Sequence, residues 1–165
     1  MNLKKIGLFI VVSLVLFSTV FAAGYRRPVR RSTALFQKGD MLVTPEIVFI
    51  EHTTDFGANF ELAITRNIGV GGDVVLFLEG SGGMMISPDV AYHFDLKVEN
   101  LDVFAGAGPA VVFGFGGDGG SEFGFKPFGG ARYYFTPKLA AYFKILAFIG
   151  SESSFGGAFG VTFRL

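Results

Sequence analysis

The chain has 165 residues, half of them hydrophobic, and its mean hydropathy of +0.50 is high for a water-soluble domain. It contains no cysteine, which excludes disulfides, a thiolate nucleophile and a cysteine-based zinc site. Its formal net charge is zero, so no strong general attraction to nucleic acid is expected.

The first 22 residues have the composition of a secretory signal peptide. Lys4 and Lys5 give a positive start, residues 6–21 form an apolar run, and Val20 and Ala22 fit the −3 and −1 positions of a cleavage site. The run is shorter than the ~20 apolar residues of a spanning helix, which favours a cleaved signal over an uncleaved anchor. We predict cleavage after Ala22 and export from a bacterial cytoplasm.

Residues 23–40 form a basic leader, which we predict to be periplasmic. This segment holds four arginines and a proline and shows no regular apolar pattern. A short charge run of this kind is usually a solvated linker, and contact with anionic lipid head groups or peptidoglycan is the alternative.

From Met41 onward, apolar and other residues alternate with a period of two, which is typical of β-strands. No stretch has helical periodicity, and no run of 18 apolar residues predicts a membrane-spanning helix. Turn-like breaks divide residues 41–165 into eight segments near 42–51, 55–66, 68–79, 84–97, 101–115, 122–135, 138–149 and 154–165. The sequence therefore predicts an all-β, eight-stranded antiparallel up-and-down barrel.

The two faces of these strands differ sharply in composition. One face carries no charge, amide or aliphatic hydroxyl, and it holds most of the phenylalanines. The phenylalanines that we predict to face lipid are Phe49, Phe60, Phe94, Phe113, Phe125, Phe143, Phe159 and Phe163. The other face holds nearly all the strand charges, separated mainly by glycine.

Two barrel types fit this alternation: a soluble lipocalin-like barrel with an apolar interior, and an outer-membrane barrel with a polar interior. A water-facing surface should be rich in charged residues, whereas the polar face here has one or two charges per strand. Small residues between charges suit the cramped interior of a narrow barrel. We therefore predict that the apolar face meets lipid and that the charges lie in the lumen.

Acidic residues dominate the first five segments and basic residues the last three, which predicts ion pairs across the lumen. We expect Arg164 and Lys144 to approach Glu46 and Glu61, and Lys126 and Arg132 to meet the acids of the fourth and fifth strands. The predicted network comprises Glu46, Glu61, Asp73, Asp89, Asp95, Asp102, Lys126, Arg132, Lys144 and Arg164. Such salt bridges can fill and plug the lumen; an ion-conducting path is the alternative.

Four prolines lie inside predicted strands, where each removes a donor from the hydrogen-bond ladder. We interpret them as bulges or as positions near the barrel rim; they are Pro45, Pro88, Pro109 and Pro127.

The closing residues SFGGAFGVTFRL resemble the terminal strand of outer-membrane barrels, and FQKGDMLVTPEIVF resembles their first strand. Together with the signal peptide, these two segments make the chain resemble the small outer-membrane β-barrel family (OmpA/OmpX-like). The resemblance implies an outer-membrane location, contact with outer-membrane lipid, and recognition of the C-terminal strand by the barrel-assembly machinery. It also implies that both termini face the periplasm, because the strand number is even.

No catalytic, cofactor or metal site is predicted. Ser87 and His93 share one strand face but lie ~20 Å apart at ~3.3 Å per residue, too far for a nucleophile–base pair. We expect His93 to be a hydrogen-bonding residue of the lumen. The sequence thus favours a non-enzymatic protein with a structural or membrane-integrity role. A narrow pore for ions or small solutes and a soluble periplasmic carrier of apolar ligands are the alternatives.

Overall fold

The computed structural model describes residues 36–51, 53–78, 82–115, 120–151 and 153–165. The predicted signal peptide and most of the basic leader lie outside these residues. Eight strands are present: β1 (Met41–Ile50), β2 (Thr53–Ala63), β3 (Ile68–Phe77), β4 (Gly83–Phe94), β5 (Leu101–Gly114), β6 (Ser121–Thr136), β7 (Leu139–Ile149) and β8 (Ser153–Arg164). Within the described ranges, no helix has the length and apolar character needed to cross a membrane.

The strands close into a barrel in which each strand pairs antiparallel with the next along the chain. β1 and β8 complete the cylinder, with Leu42 opposite Arg164 and Ile50 opposite Gly156. Closure leaves no unpaired sheet edge. The predicted eight-stranded antiparallel barrel is therefore confirmed. The fourth predicted segment extends too far, because β4 ends at Phe94 rather than near Lys97.

The alternation in the sequence separates the outer wall from the lumen. Phe143 and Ile145 are 42% and 46% exposed, whereas Lys144 between them is completely buried. All eight phenylalanines predicted to face lipid belong to the outer wall, and Phe163 is the one among them that is half-buried. This arrangement is the reverse of a carrier barrel, whose interior must be apolar to hold an apolar ligand.

The strand prolines do not form bulges. All four side chains point outward, and strand pairing is interrupted beside each. Pairing then resumes in the same register: from Val43–Phe163 to Glu46–Gly160, from Ile86–Val111 to Val90–Ala107, and from Phe125–Ile149 to Phe128–Leu146. The bulge interpretation is therefore wrong. Proline keeps the extended path and removes only its N–H donor, so the ladder loses hydrogen bonds without gaining a residue.

Candidate functional site

The lumen side chains lie in layers between two ends of the barrel. We call the end where β1 begins and β8 ends the terminal end, and the opposite end the distal end. Strand alternation alone aims these side chains inward, since every second residue of each strand faces the barrel axis.

Four charged side chains close a ring near the terminal end. His93 Nε2 lies 2.6 Å from Glu61 Oε1, and His93 Nδ1 lies 2.8 Å from Asp102 Oδ1. Arg132 joins the same two carboxylates from the other side, through Nη2 to Glu61 at 2.5 Å and Nη1 to Asp102 at 3.3 Å. We call Glu61, His93, Asp102 and Arg132 the terminal ring. Each carboxylate in it bridges one histidine nitrogen and one guanidinium nitrogen.

The terminal ring suits a charged histidine. When Glu61 and Asp102 are both ionised they only accept hydrogen bonds, and a histidine held between them donates from both nitrogens as the imidazolium. The ring then contains two positive and two negative groups. All four side chains are nearly completely buried, and buried charges persist only where they are paired and hydrogen-bonded.

Two aromatic side chains pack against the terminal ring. The Arg132 guanidinium lies 4.5 Å from the ring centroid of Phe104 and 5.3 Å from that of Tyr142. The Phe104 and Tyr142 rings stack with centroids 5.7 Å apart and an interplanar angle of 12°. A guanidinium over an aromatic face gains a favourable cation–π interaction, which is strongest away from water. Phe104 and Tyr142 therefore both seal the ring and stabilise its cation.

A second charged group occupies the centre of the lumen. Asp73 accepts hydrogen bonds from Lys126, from Lys144 at 2.8 Å and from the Asn59 amide at 2.8 Å. The lysines also contact one further carboxylate each, Asp89 at 3.2 Å from Lys126 and Glu46 at 3.3 Å from Lys144. We call Glu46, Asp73, Asp89, Lys126 and Lys144 the central network. It links β1, β3, β4, β6 and β7 across the lumen.

Two residues of the predicted network lie elsewhere. Asp95 follows the last residue of β4 and is exposed, so it does not enter the lumen. Arg164 lies at the terminal rim, where Nε is 3.4 Å from Asp40 and the guanidinium lies 4.8 Å from the Tyr134 ring centroid. Arg164 therefore does not approach Glu46 or Glu61. It is the last residue of β8, and its pairing with Leu42 keeps it at the barrel mouth.

An apolar layer lies in the distal part of the lumen, which the sequence interpretation missed. Buried side chains from six strands pack together there: Val48, Val75, Met85, Ala110, Leu146, Phe148 and Ala158. We call these residues the distal plug. The sequence alternation showed that these side chains face inward. That they lie at the same height along the barrel axis depends on how the strands are staggered. Asp55, which is also buried at this end, accepts hydrogen bonds from the Thr53 hydroxyl and the Leu78 N–H.

Ser87 and His93 do not form a nucleophile–base pair in the lumen. Both ring nitrogens of His93 are engaged by Glu61 and Asp102, so the ring cannot take a proton from Ser87. The Ser87 hydroxyl is buried without a hydrogen-bond partner in the described part of the chain. Across the same residues, no group of three His, Asp or Glu side chains is arranged to hold a metal ion.

Several solved barrels share this fold. The N-terminal β-barrel domain of Pseudomonas aeruginosa OprF is 17% identical, with 78% of this chain and 98% of that chain covered and a TM-score of 0.70. A de novo designed transmembrane β-barrel is also 17% identical, over 78% and 98% of the two chains, with a TM-score of 0.57. The outer-membrane protein OprG from Pseudomonas aeruginosa is 9% identical, over 79% and 97%, with a TM-score of 0.56.

No protein-family model matches the sequence, and a sequence comparison with curated proteins finds no match. At identities this low, the similar structures show the fold alone. The eight-stranded architecture predicted from the resemblance to small outer-membrane barrels is therefore confirmed at the level of the fold.

Proposed function

We propose that this chain is an integral outer-membrane protein with a structural, non-enzymatic role and a closed lumen. The observation that carries the proposal is the inverted distribution of polarity, with an exposed apolar wall around buried ion pairs. Soluble monomers rarely expose contiguous apolar patches beyond a few hundred Å², because burying each large apolar side chain is worth ~1.5–3 kcal/mol. A bilayer supplies the apolar surroundings that this wall requires.

The predicted signal peptide and the similar structures support the choice of membrane. Export across the inner membrane is a prerequisite for reaching the outer membrane. OprG is itself an outer-membrane protein. The wall fits that setting because its middle, at Phe60, Phe143 and Phe159, carries no charge. A lysine or arginine there would cost ~2–4 kcal/mol in lipid.

The layered lumen favours a structural barrel over a pore. Ions entering from the terminal end would meet the ion-paired ring and the Phe104–Tyr142 stack, then the central network and the distal plug. An eight-stranded barrel is just wide enough for its side chains to fill. A carrier of apolar ligands is disfavoured for a different reason, since its binding cavity would be lined by buried carboxylates and lysines.

The location is tested by expressing the full chain with its own signal and separating the inner membrane, outer membrane and aqueous fractions. We expect the protein in the outer-membrane fraction, with faster gel migration before boiling than after it. A chain recovered in the aqueous fraction without detergent would support the soluble carrier instead.

The closed lumen is tested separately in planar lipid bilayers with the purified, folded barrel. We expect no stepwise conductance above the level of protein-free bilayers. Reproducible single-channel steps that scale with salt concentration would favour the pore, while leaving the outer-membrane location intact.

A further inference from the structure

The segment just before β1 folds back across the terminal end of the barrel. Asp40 N–H donates to Gln37 O at 3.0 Å, and Gln37 N–H donates to Asp40 Oδ2 at 2.9 Å, which closes a tight turn. Gly39 N–H donates to Ala63 O at 2.8 Å, and Ala63 N–H donates to Asp40 O at 2.9 Å. These bonds attach the turn to the end of β2. Arg164 Nε, 3.4 Å from the Asp40 carboxylate, holds it on the other side.

The turn has a backbone requirement that only glycine meets easily. Gly39 has a φ of +92°, a conformation that residues with a Cβ rarely adopt. Apart from its two chain neighbours, no residue has an atom within 4 Å of the position a Cβ would take, so the requirement is conformational and not steric crowding. Alanine at this position would therefore strain the turn without displacing a neighbour.

This turn carries Phe36 into the barrel mouth. The Phe36 ring stacks on His93 of the terminal ring, with centroids 3.6 Å apart and an interplanar angle of 8°. It also packs with the buried Leu42 and Ala63, and the side chain is 4% exposed. Phe36 precedes the first strand, so no strand alternation aims it inward. Its burial depends on the turn.

A polar vestibule lies beside Phe36. This cavity of about 150 Å³ is formed largely by the β2–β3 and β4–β5 connections, including Arg66, Asn67 and Lys97. His93 and Asp102 also line it. Phe36 thus stands where the terminal ring meets a space large enough for water and small polar solutes.

We propose that Phe36 is a removable stopper of the lumen and that residues 36–40 are the latch that seats it. The barrel wall is held by strand pairing around its whole circumference, whereas the latch is a five-residue turn outside the sheet. Short segments with few contacts open locally while the rest of a protein stays folded. Release of the latch exposes Leu42, Ala63 and the face of His93 that Phe36 covers, without unfolding the barrel.

The absence of native cysteine makes thiol labelling a clean test. Ala63→Cys places a reporter under Phe36, because Ala63 faces the lumen and is 2% exposed. Asp95→Cys gives an exposed reference at the same end. Both are labelled in detergent micelles with a small cationic methanethiosulfonate reagent, after folding has been checked by migration of unboiled samples.

We expect the Ala63→Cys thiol to react at least tenfold faster when Phe36→Ala is added, while the Asp95→Cys rate stays unchanged. Phe135→Ala is the matched control, since it removes an exposed phenylalanine from the outer wall of the same end, and it should not alter either rate. Gly39→Ala, which keeps Phe36 but strains the latch, should accelerate the Ala63→Cys reaction as well.

Equal Ala63→Cys rates in the parent and Gly39→Ala backgrounds would overturn the latch. Equal rates in the parent and Phe36→Ala backgrounds would overturn the stopper, as would a parent rate matching that of Asp95→Cys. If Phe36→Ala does not fold, the Gly39→Ala comparison decides the proposal. The result is independent of the proposed membrane location, which cell fractionation tests.

Discussion

Arg132→Met removes the cation that connects the two carboxylates of the terminal ring. Methionine keeps an unbranched apolar stem against Phe104 and Tyr142, so the substitution separates charge from packing. It leaves the Arg132-facing oxygens of Glu61 and Asp102 buried without their ionic partner. The protonated His93 then faces two carboxylates alone.

The size of the effect follows from these contacts. Two hydrogen bonds between charged groups are worth ~1.5–3 kcal/mol each, or ~3–6 kcal/mol together. Breaking a buried ion pair by deleting one partner independently suggests ~3–5 kcal/mol, because the remaining charge stays desolvated. We therefore expect Arg132→Met to lower the free energy of unfolding by ~3–5 kcal/mol.

Arg164→Met is the matched control in the same chain. Arg164 makes its ion pair at the rim, at 3.4 Å, with 17% of its side chain exposed. This single contact is longer than either Arg132 contact and part of the side chain remains exposed, so the same substitution should cost less there than in the terminal ring. Arg132→Lys should fall between the two, because one ammonium cannot reproduce the fork that reaches both carboxylates.

The measurement is a urea titration of the barrel folded into lipid vesicles. Because the chain has no tryptophan, unfolding is followed by far-ultraviolet circular dichroism and by migration of unboiled samples. An Arg132→Met barrel within ~1 kcal/mol of the parent would refute the reasoning that paired charges stabilise the lumen. Equal losses in Arg132→Met and Arg164→Met would refute the distinction between ring and rim.

Three further substitutions, two of them with a matched control, probe the wall and the packing of the barrel by the same urea titration. Phe143→Lys should destabilise the barrel in vesicles by ~2–4 kcal/mol, and Phe135→Lys, near the end of β6, by ~0–1 kcal/mol; equal effects would contradict a lipid-facing middle. Phe148→Ala should cost ~3–5 kcal/mol by opening a cavity in the distal plug, and a loss below 1 kcal/mol would mean that this layer is loosely packed. Gly108→Ala should cost ~1–3 kcal/mol because its Cβ would lie 1.9 Å from a backbone oxygen of β4, whereas Gly129→Ala, with its nearest contact at 3.7 Å, should be tolerated.

The sequence predicted the strands and the face of each strand because both are local properties. A side chain such as Lys144 points away from Phe143 and Ile145 whatever the strand pairs with, since consecutive residues of a strand alternate. The set of alternate residues without charge therefore indicated the outer wall before the pairing of any strand was known. The end of β4 at Phe94 was not predicted, because where a strand ends depends on the loop that follows it.

Contacts across the lumen could not be predicted in this way. β2, which carries Glu61, is not a neighbour of β4, β5 or β6, and its contacts with His93 and Arg132 span the barrel interior. Acidic residues come early in the chain and basic residues late, which led us to predict ion pairs across the lumen. The same reasoning assigned Arg164 to the wrong partners. Strand alternation shows whether a side chain faces the lumen or the outside, but it does not show how far along the barrel axis the residue lies.

The amino-acid sequence by itself determined that this chain forms a strand cylinder with charges on one side and phenylalanines on the other, because a period of two is encoded residue by residue. Only the tertiary structure decided which charges pair, where the distal plug lies, and that Phe36 enters the mouth. Those features depend on the stagger of eight strands and on a turn outside the sheet, and both are fixed only when the barrel closes.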